Sequence, residues 1–282
     1  MPLINDVFQA IIMDDVDQLK QLLKRNVIDL GQRIRGATAL SLAVYKANYA
    51  SVSVLVDFGA PLDMKSKDHL HRIETPLITS IRLGHQQIFL KLLYNGAKLD
   101  GKDNYSQCPL WYAVKEQRVA YVNLLLEMGA PITFRCGEFS PLNLLMQFLH
   151  LKYRRQMAIE LVAVGLQTSL EDHQGKSPTR WTIDHSDFKF FQLLVEAGTP
   201  LNTIQISECP KQWIENRTNA EWLESVFCQP PSLMNQCRRV IREYLRSTKN
   251  RDIRPFIERL KIPLSIGRYL LLKDAVDSAI AT

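Results

Sequence analysis

No apolar run in this 282-residue chain approaches the roughly 18 residues that a membrane-spanning helix needs. Its opening stretch, MPLINDVFQAIIMDD, has no basic segment ahead of its apolar residues, so a secretory leader is not expected. Cysteine is scarce. Cys108, Cys136, Cys209, Cys228 and Cys237 are odd in number, widely spread and free of any CxxC pair. That excludes a disulfide framework and fits free thiols in a reducing compartment, cytoplasmic with the nucleus also open. Without a leader, the triplets Asn104-Tyr105-Ser106 and Asn216-Arg217-Thr218 carry no weight as glycosylation sites.

Catalytic signatures are missing as well. There is no GxSxG, no GxxxxGK[ST], no HExxH and no dinucleotide fingerprint, so no catalytic residue and no cofactor is assigned. His69 and His71 stand two apart with no cysteine or carboxylate pair near enough in sequence to complete a zinc site, and no metal is expected. His85, after Gly84, fits a turn, while His150, His173 and His185 are isolated.

What the chain does have is 46% apolar and 23% charged residues, the balance of a folded protein. Its excess of charge is localised. Lys and Arg balance Asp and Glu at 24 each through residue 227, whereas residues 228–282 carry 11 basic against 5 acidic residues. A basic module can meet nucleic acid, acidic lipid or an acidic protein. No finger or RNP-type motif and no aromatic-interleaved basic patch favours nucleic acid, which is set aside.

The chain also repeats itself. Thr38-Ala39-Leu40, Thr75-Pro76-Leu77, Cys108-Pro109-Leu110 and Ser140-Pro141-Leu142 recur in phase, with a weaker Ser177-Pro178-Thr179. Each precedes a glycine landmark at Gly59, Gly96, Gly129, Gly165 and Gly198, spaced by 37, 33, 36 and 33 residues. A Thr or Ser oxygen caps the free amides of a new helix, proline suits its first turn, and glycine supplies the left-handed position that ends the second helix. Between them run apolar stripes such as Val52, Leu55, Val56 and Ile88, Leu92, Leu93. This unit resembles the ankyrin repeat.

The resemblance covers roughly residues 5–202 and implies an all-α solenoid with hairpin fingers. Val16–Leu23 reads as the last helix of a degenerate N-terminal repeat within residues 1–35, and residues 36–202 hold about five units. The histidine usual after TPL is replaced by Ser41, Ile78, Trp111, Asn143 and Arg180, which is expected to weaken hydrogen bonding between repeats. The corresponding leucines of the two helices stand 15 apart in most units, but Leu142 and Leu161 stand 19 apart. Four extra residues are therefore expected as a loop within residues 147–155, and a similar excess falls in the finger around residues 65–72. Insertions and fingers are where such surfaces meet partners. Lys65, Lys67, His69, His71, Arg72, Lys102, Tyr105, Tyr153 and Arg154 are the candidate target contacts.

Residues 203–229 form a connecting segment, with Trp213 and Trp222 read as packing residues, like Trp111 and Trp181. Then comes SLMNQCRRVIREYL, in which Leu233, Cys237, Val240, Ile241 and Tyr244 share a helical face opposite Arg238, Arg239, Arg242 and Arg246. Such a stripe caps the last repeat if buried on it, and docks a partner if left open. The order Ser-Leu-x-x-x-Cys-x-x-x-Ile, followed by Leu260-Lys261-Ile262-Pro263-Leu264 and Tyr269-Leu270, resembles the SOCS box.

Ankyrin repeats followed by a small helical SOCS box at 230–272, with a tail at 273–282, identify the chain as similar to the ankyrin repeat and SOCS box family. The resemblance implies elongin C and elongin B as partners through Leu233, Cys237, Val240, Ile241 and Tyr244. It implies a cullin, usually cullin-5, with its RING subunit, through Leu260, Ile262, Pro263 and Leu264. It also implies an unknown protein target on the repeats. Lys261 stands where the family's cullin-facing pattern has its first proline.

Overall fold

A computed structural model describes residues 2–67, 71–132, 141–146, 152–172, 174–201, 204–228, 232–249 and 251–281. The chain divides into two compact units, Met1–Leu125 and Leu126–Thr282.

The first unit is built of helix pairs: α1 (Pro2–Ile12) with α2 (Val16–Arg25), α3 (Ala39–Tyr45) with α4 (Tyr49–Asp57), α5 (Pro76–Leu83) with α6 (Gln86–Tyr94), and α7 (Pro109–Lys115) with α8 (Val119–Glu127). The first helices α1, α3, α5 and α7 pack in one row, and α2, α4 and α6 in another. The stripe residues Val52, Leu55, Ile88 and Leu92 are buried between them. Helix α1 precedes the helix expected at Val16–Leu23, so the N-terminal repeat has both helices.

Capping follows the expected chemistry. Thr38 Oγ1 accepts the Ser41 amide and Thr75 Oγ1 accepts the Ile78 amide, while Cys108, lacking an oxygen, makes no side-chain cap. Antiparallel two-residue ladders form the fingers: β1 (Arg33–Ile34) with β2 (Ala37–Thr38), and β3 (Ser66–Lys67) with β4 (Ile73–Glu74).

The expected weakening from the missing histidines is offset by other groups. Ser66 Oγ accepts the Thr38 amide at 3.1 Å, linking neighbouring fingers. The Tyr112 hydroxyl donates to Asp103 Oδ2 at 2.8 Å, and Asp103 Oδ1 closes its own turn by accepting the Tyr105 and Gln107 amides. Burial and the Asp103 carboxylate raise the Tyr112 pKa, so this phenol stays a donor. In the second unit the same device recurs: Trp181 Nε1 donates to Asp172 Oδ2 at 2.9 Å, and Asp172 Oδ1 accepts the Gln174 and Lys176 amides.

The second unit continues the pairing with α9 (Pro141–Met146) and α10 (Lys152–Ala163), then α11 (Pro178–Asp184) and α12 (Phe188–Glu196). Here the expectation of a purely loop-like insertion is corrected. Residues 147–151 lie outside the described residues, but Lys152, Tyr153, Arg154 and Arg155 form the first turn of α10. The extra length extends a helix because Arg155 is held at both ends. Its guanidinium pairs with Asp187 at 2.5 Å and donates to the Ala279 carbonyl.

The connecting segment folds into α13 (Lys211–Glu215) and α14 (Arg217–Phe227). Trp213 and Leu223 are buried there against Phe191 and Ile183, and Trp222 packs on the same cluster. Four more helices follow: α15 (Leu233–Lys249), α16 (Arg254–Arg259), α17 (Leu264–Leu270) and α18 (Lys273–Ile280). The segment expected as a tail is thus a helix, and α18 packs on α10 and α12 with Ala279 fully buried.

Candidate functional site

Helix α15 is turned inside out relative to a usual surface helix. Its arginine face points into the protein and its apolar face points outward. Leu233 is 76% exposed, Val240 63% and Tyr244 64%, and Cys237 and Ile241 are exposed beside them, whereas Arg238 and Arg242 are 4% and 5% exposed. Met234, 57% exposed, belongs to the same patch and escaped the sequence reading. A helical projection would have placed it one step from Leu233.

Buried arginines need partners, and each finds a specific one. The Arg242 guanidinium donates to the carbonyls of Val162 at 2.9 Å, Ala163 at 3.4 Å and Leu270 at 2.8 Å. These are the ends of α10 and α17, where unpaired carbonyls and the negative end of the helix dipole favour a cation. Burial, and then Arg238 and Arg246, lower its pKa to about 9 against the opposing pull of Asp252. Arg238 reaches Glu196 at 3.3 Å, takes the Asn235 side chain at 3.3 Å, and lies 4.2 Å above the Tyr269 ring. Tyr269 in turn donates to Asn235 Oδ1 at 2.5 Å. With Arg238 and Arg242 committed inward, the helix cannot rotate its leucine face into the core without breaking their pairings.

A small core holds the rest of the module: Ile253, Ile257, Leu270 and Leu271, with Leu245 and Ile262 packed against it. The Ile253 amide donates to the Val164 carbonyl at 3.1 Å, so the repeat's last turn is closed by the module itself. Of the four residues proposed to face a cullin, Leu260 and Pro263 are exposed and Leu264 is 81% exposed, whereas Ile262 is half-buried. Ile266, exposed on the next turn, was not foreseen.

Among the finger residues, Lys65, Lys67, His71, Lys102 and Tyr105 are exposed, and Arg72 is half-buried, 3.9 Å from Glu74. His69 lies outside the described residues; Tyr153 and Arg154 are on α10. The sequence reading missed the roles of Arg155, Arg242 and Ile253, which depend on partners 28 to 124 residues away in the chain. No described helix is long and apolar enough to cross a membrane, and no three described His, Cys, Asp or Glu residues gather to hold a metal.

Known proteins align with this architecture. Residues 7–103 and 60–136 match the family profile described as Ankyrin repeats (3 copies), and residues 229–271 match that of the SOCS box. A Treponema pallidum (strain Nichols) protein described as ankyrin repeat-containing is 28% identical over 130 residues, 46% of this chain; the match spans 43% of that relative's length. The crystal structure of an ankyrin repeat domain from Acinetobacter baumannii AYE superposes with TM-score 0.60 at 21% identity, over 69% of this chain and 98% of that one. Another ankyrin repeat protein gives 0.58 at 18% identity, over 68% and 97%. These two likenesses establish the fold.

The class is therefore a mostly helical chain of ankyrin repeats that carries a C-terminal helical module. The chain joins ankyrin repeats to a SOCS box and so matches an ankyrin repeat and SOCS box protein. Both modules are typically non-catalytic adaptors.

Proposed function

We propose that this chain is the substrate-recognition subunit of an elongin B/C–cullin–RING ubiquitin ligase, with cullin-5 as the cullin. Its repeats hold a protein target, the outward face of α15 docks elongin C, and the segment Leu260–Leu264 faces the cullin. The observation that carries this reading is the inversion of α15. Five apolar or weakly polar side chains, Leu233, Cys237, Val240, Ile241 and Tyr244, are left open by a helix that buries Arg238 and Arg242 on its other face. Contiguous apolar surface of this kind marks a protein interface. A leucine fully buried in a partner contributes about 1.5–3 kcal/mol, enough for an anchor.

Chemistry then happens elsewhere. The chain supplies proximity, raising the effective concentration of target lysines near the charged conjugating enzyme. The test is co-purification with elongins B and C. Leu233→Asp abolishes capture while leaving helicity and melting temperature nearly unchanged, since the side chain is 76% exposed. Normal capture by that variant would mean that the anchor lies elsewhere. No capture by the wild type would leave an ankyrin scaffold without ligase recruitment.

A further inference from the structure

The four finger cations Arg33, Arg35, Lys65 and Lys67 are exposed, and among the described residues none is paired with a carboxylate. Among the described residues, three carboxylates of the same fingers already have partners within the fold. Asp29 accepts the Gly31 amide, Asp63 accepts the Lys98 amide at 2.8 Å, and Glu74, 3% exposed, is held by Arg82 and Thr79. These three carboxylates are thus engaged within the fold while the four cations are left outward. The cations are also contiguous. The Lys67 amide donates to the Gly36 carbonyl at 3.0 Å, Lys67 sits opposite Ile73 in the ladder, and the Ile73 amide reaches Asn104 Oδ1 at 3.4 Å. This chain of bonds leads from Arg35 to Tyr105, which is 66% exposed, as Ile73 is 38%.

We propose that this strip docks an acidic, extended segment of a protein, its carboxylates over Arg33, Arg35, Lys65 and Lys67 and a bulky apolar side chain on Ile73 and Tyr105. The proposal rests on the repeats being the target-holding module, and it names the chemical class of the target. A polypeptide fits better than nucleic acid. The strip ends on the exposed apolar pair Ile73 and Tyr105, which a bulky side chain covers and a row of phosphates does not.

The test is selection of random displayed peptides on the full chain in complex with elongins B and C. Recovered peptides are rich in Asp and Glu around one large apolar residue, and their binding weakens as salt is raised. The combined R33E, R35E, K65E and K67E variant loses about tenfold or more in affinity, roughly 1.4 kcal/mol. The milder Lys65→Gln, Lys67→Gln pair falls between, and reversal of Lys20 and Lys24 on α2 has no effect. Tyr105→Ala weakens only peptides that keep their apolar residue. An empty selection, peptides without acidic bias, undiminished binding by the charge-reversed chain, or preferential capture of duplex DNA would overturn the proposal. Elongin capture persists in every finger variant and is lost in Leu233→Asp, so the two readings fail separately.

Discussion

Ile253 lies over Gly165 so closely that a β-carbon at position 165 would stand 3.0 Å from Ile253 Cδ1 and 3.2 Å from Cγ1. Gly165 also has φ +98°, the left-handed conformation that ends α10. The glycine that terminates the repeat is therefore also the floor on which the SOCS box rests. Gly198 meets Arg239 as closely, and Gly129 lies in ordinary contact range of Arg251, so the ends of three successive repeats touch the box.

Gly165→Ala consequently suffers twice, from backbone strain and from the clash with Ile253, for a loss of about 2–3 kcal/mol. Gly59→Ala is the internal comparison. It has φ +79° and nothing within 4 Å of the new carbon, so only the conformational cost of about 1 kcal/mol applies. Hydrogen exchange of residues 251–257 should accelerate in the first variant and stay unchanged in the second. Equal effects would mean that the box does not depend on that contact.

The repeat period, the glycine ends and the Thr38 and Thr75 caps were all legible because each depends on neighbours a few residues away. So was the outward stripe of α15, as a pattern, though not its orientation. A helix with leucines on one side and arginines on the other reads as leucine-inward until the arginines are given partners. Those partners, the Val162 and Leu270 carbonyls and Glu196, are backbone ends or distant side chains that no local pattern marks. For the same reason α18 read as a tail. Its docking depends on Arg155, whose partner Ala279 is 124 residues away.

Arg242→Ala removes the cation that joins the ends of α10 and α17 and the donor to the Val162, Ala163 and Leu270 carbonyls. The expected loss is about 3 kcal/mol, concentrated where the box meets the last repeats. Arg242→Lys restores little, because a single ammonium cannot span the three acceptors as a forked guanidinium does. Limited trypsin digestion should open the chain near Arg251 and Arg254 faster in both variants. Unchanged digestion of the lysine variant would show that charge alone is enough.

Thiol reactivity should separate the cysteines by environment. Burial pushes Cys108 up to about 11, leaving about a thousandth as thiolate near pH 8, and burial also raises Cys209. Because the folded state disfavours the Cys108 thiolate, raising the pH toward 11 increases its fraction without making the residue accessible. Cys228 and Cys237 are exposed. Among the described cysteines, a pulse of iodoacetamide read by peptide mass spectrometry should therefore mark Cys228 and Cys237 first. Prior addition of elongins B and C should shield Cys237 and leave Cys228 reactive. Undiminished labelling of Cys237 in the complex would remove it from the interface.

Lys261 offers the sharpest probe of the cullin-facing segment. Leu260 already has φ −68° and ψ 131°, the extended conformation required before a proline, and among the described residues the Lys261 amide donates no hydrogen bond. Lys261→Pro should therefore leave the fold and elongin capture intact, and it restores the Leu-Pro-hydrophobe-Pro order. By narrowing the free conformations of the segment it should strengthen cullin-5 capture by the elongin-bound complex several-fold, on the order of 1 kcal/mol. Leu264→Asp, at a side chain 81% exposed, should abolish that capture without unfolding the box. If Lys261→Pro leaves cullin binding unaltered and Leu264→Asp retains it, residues 260–264 are not the contact.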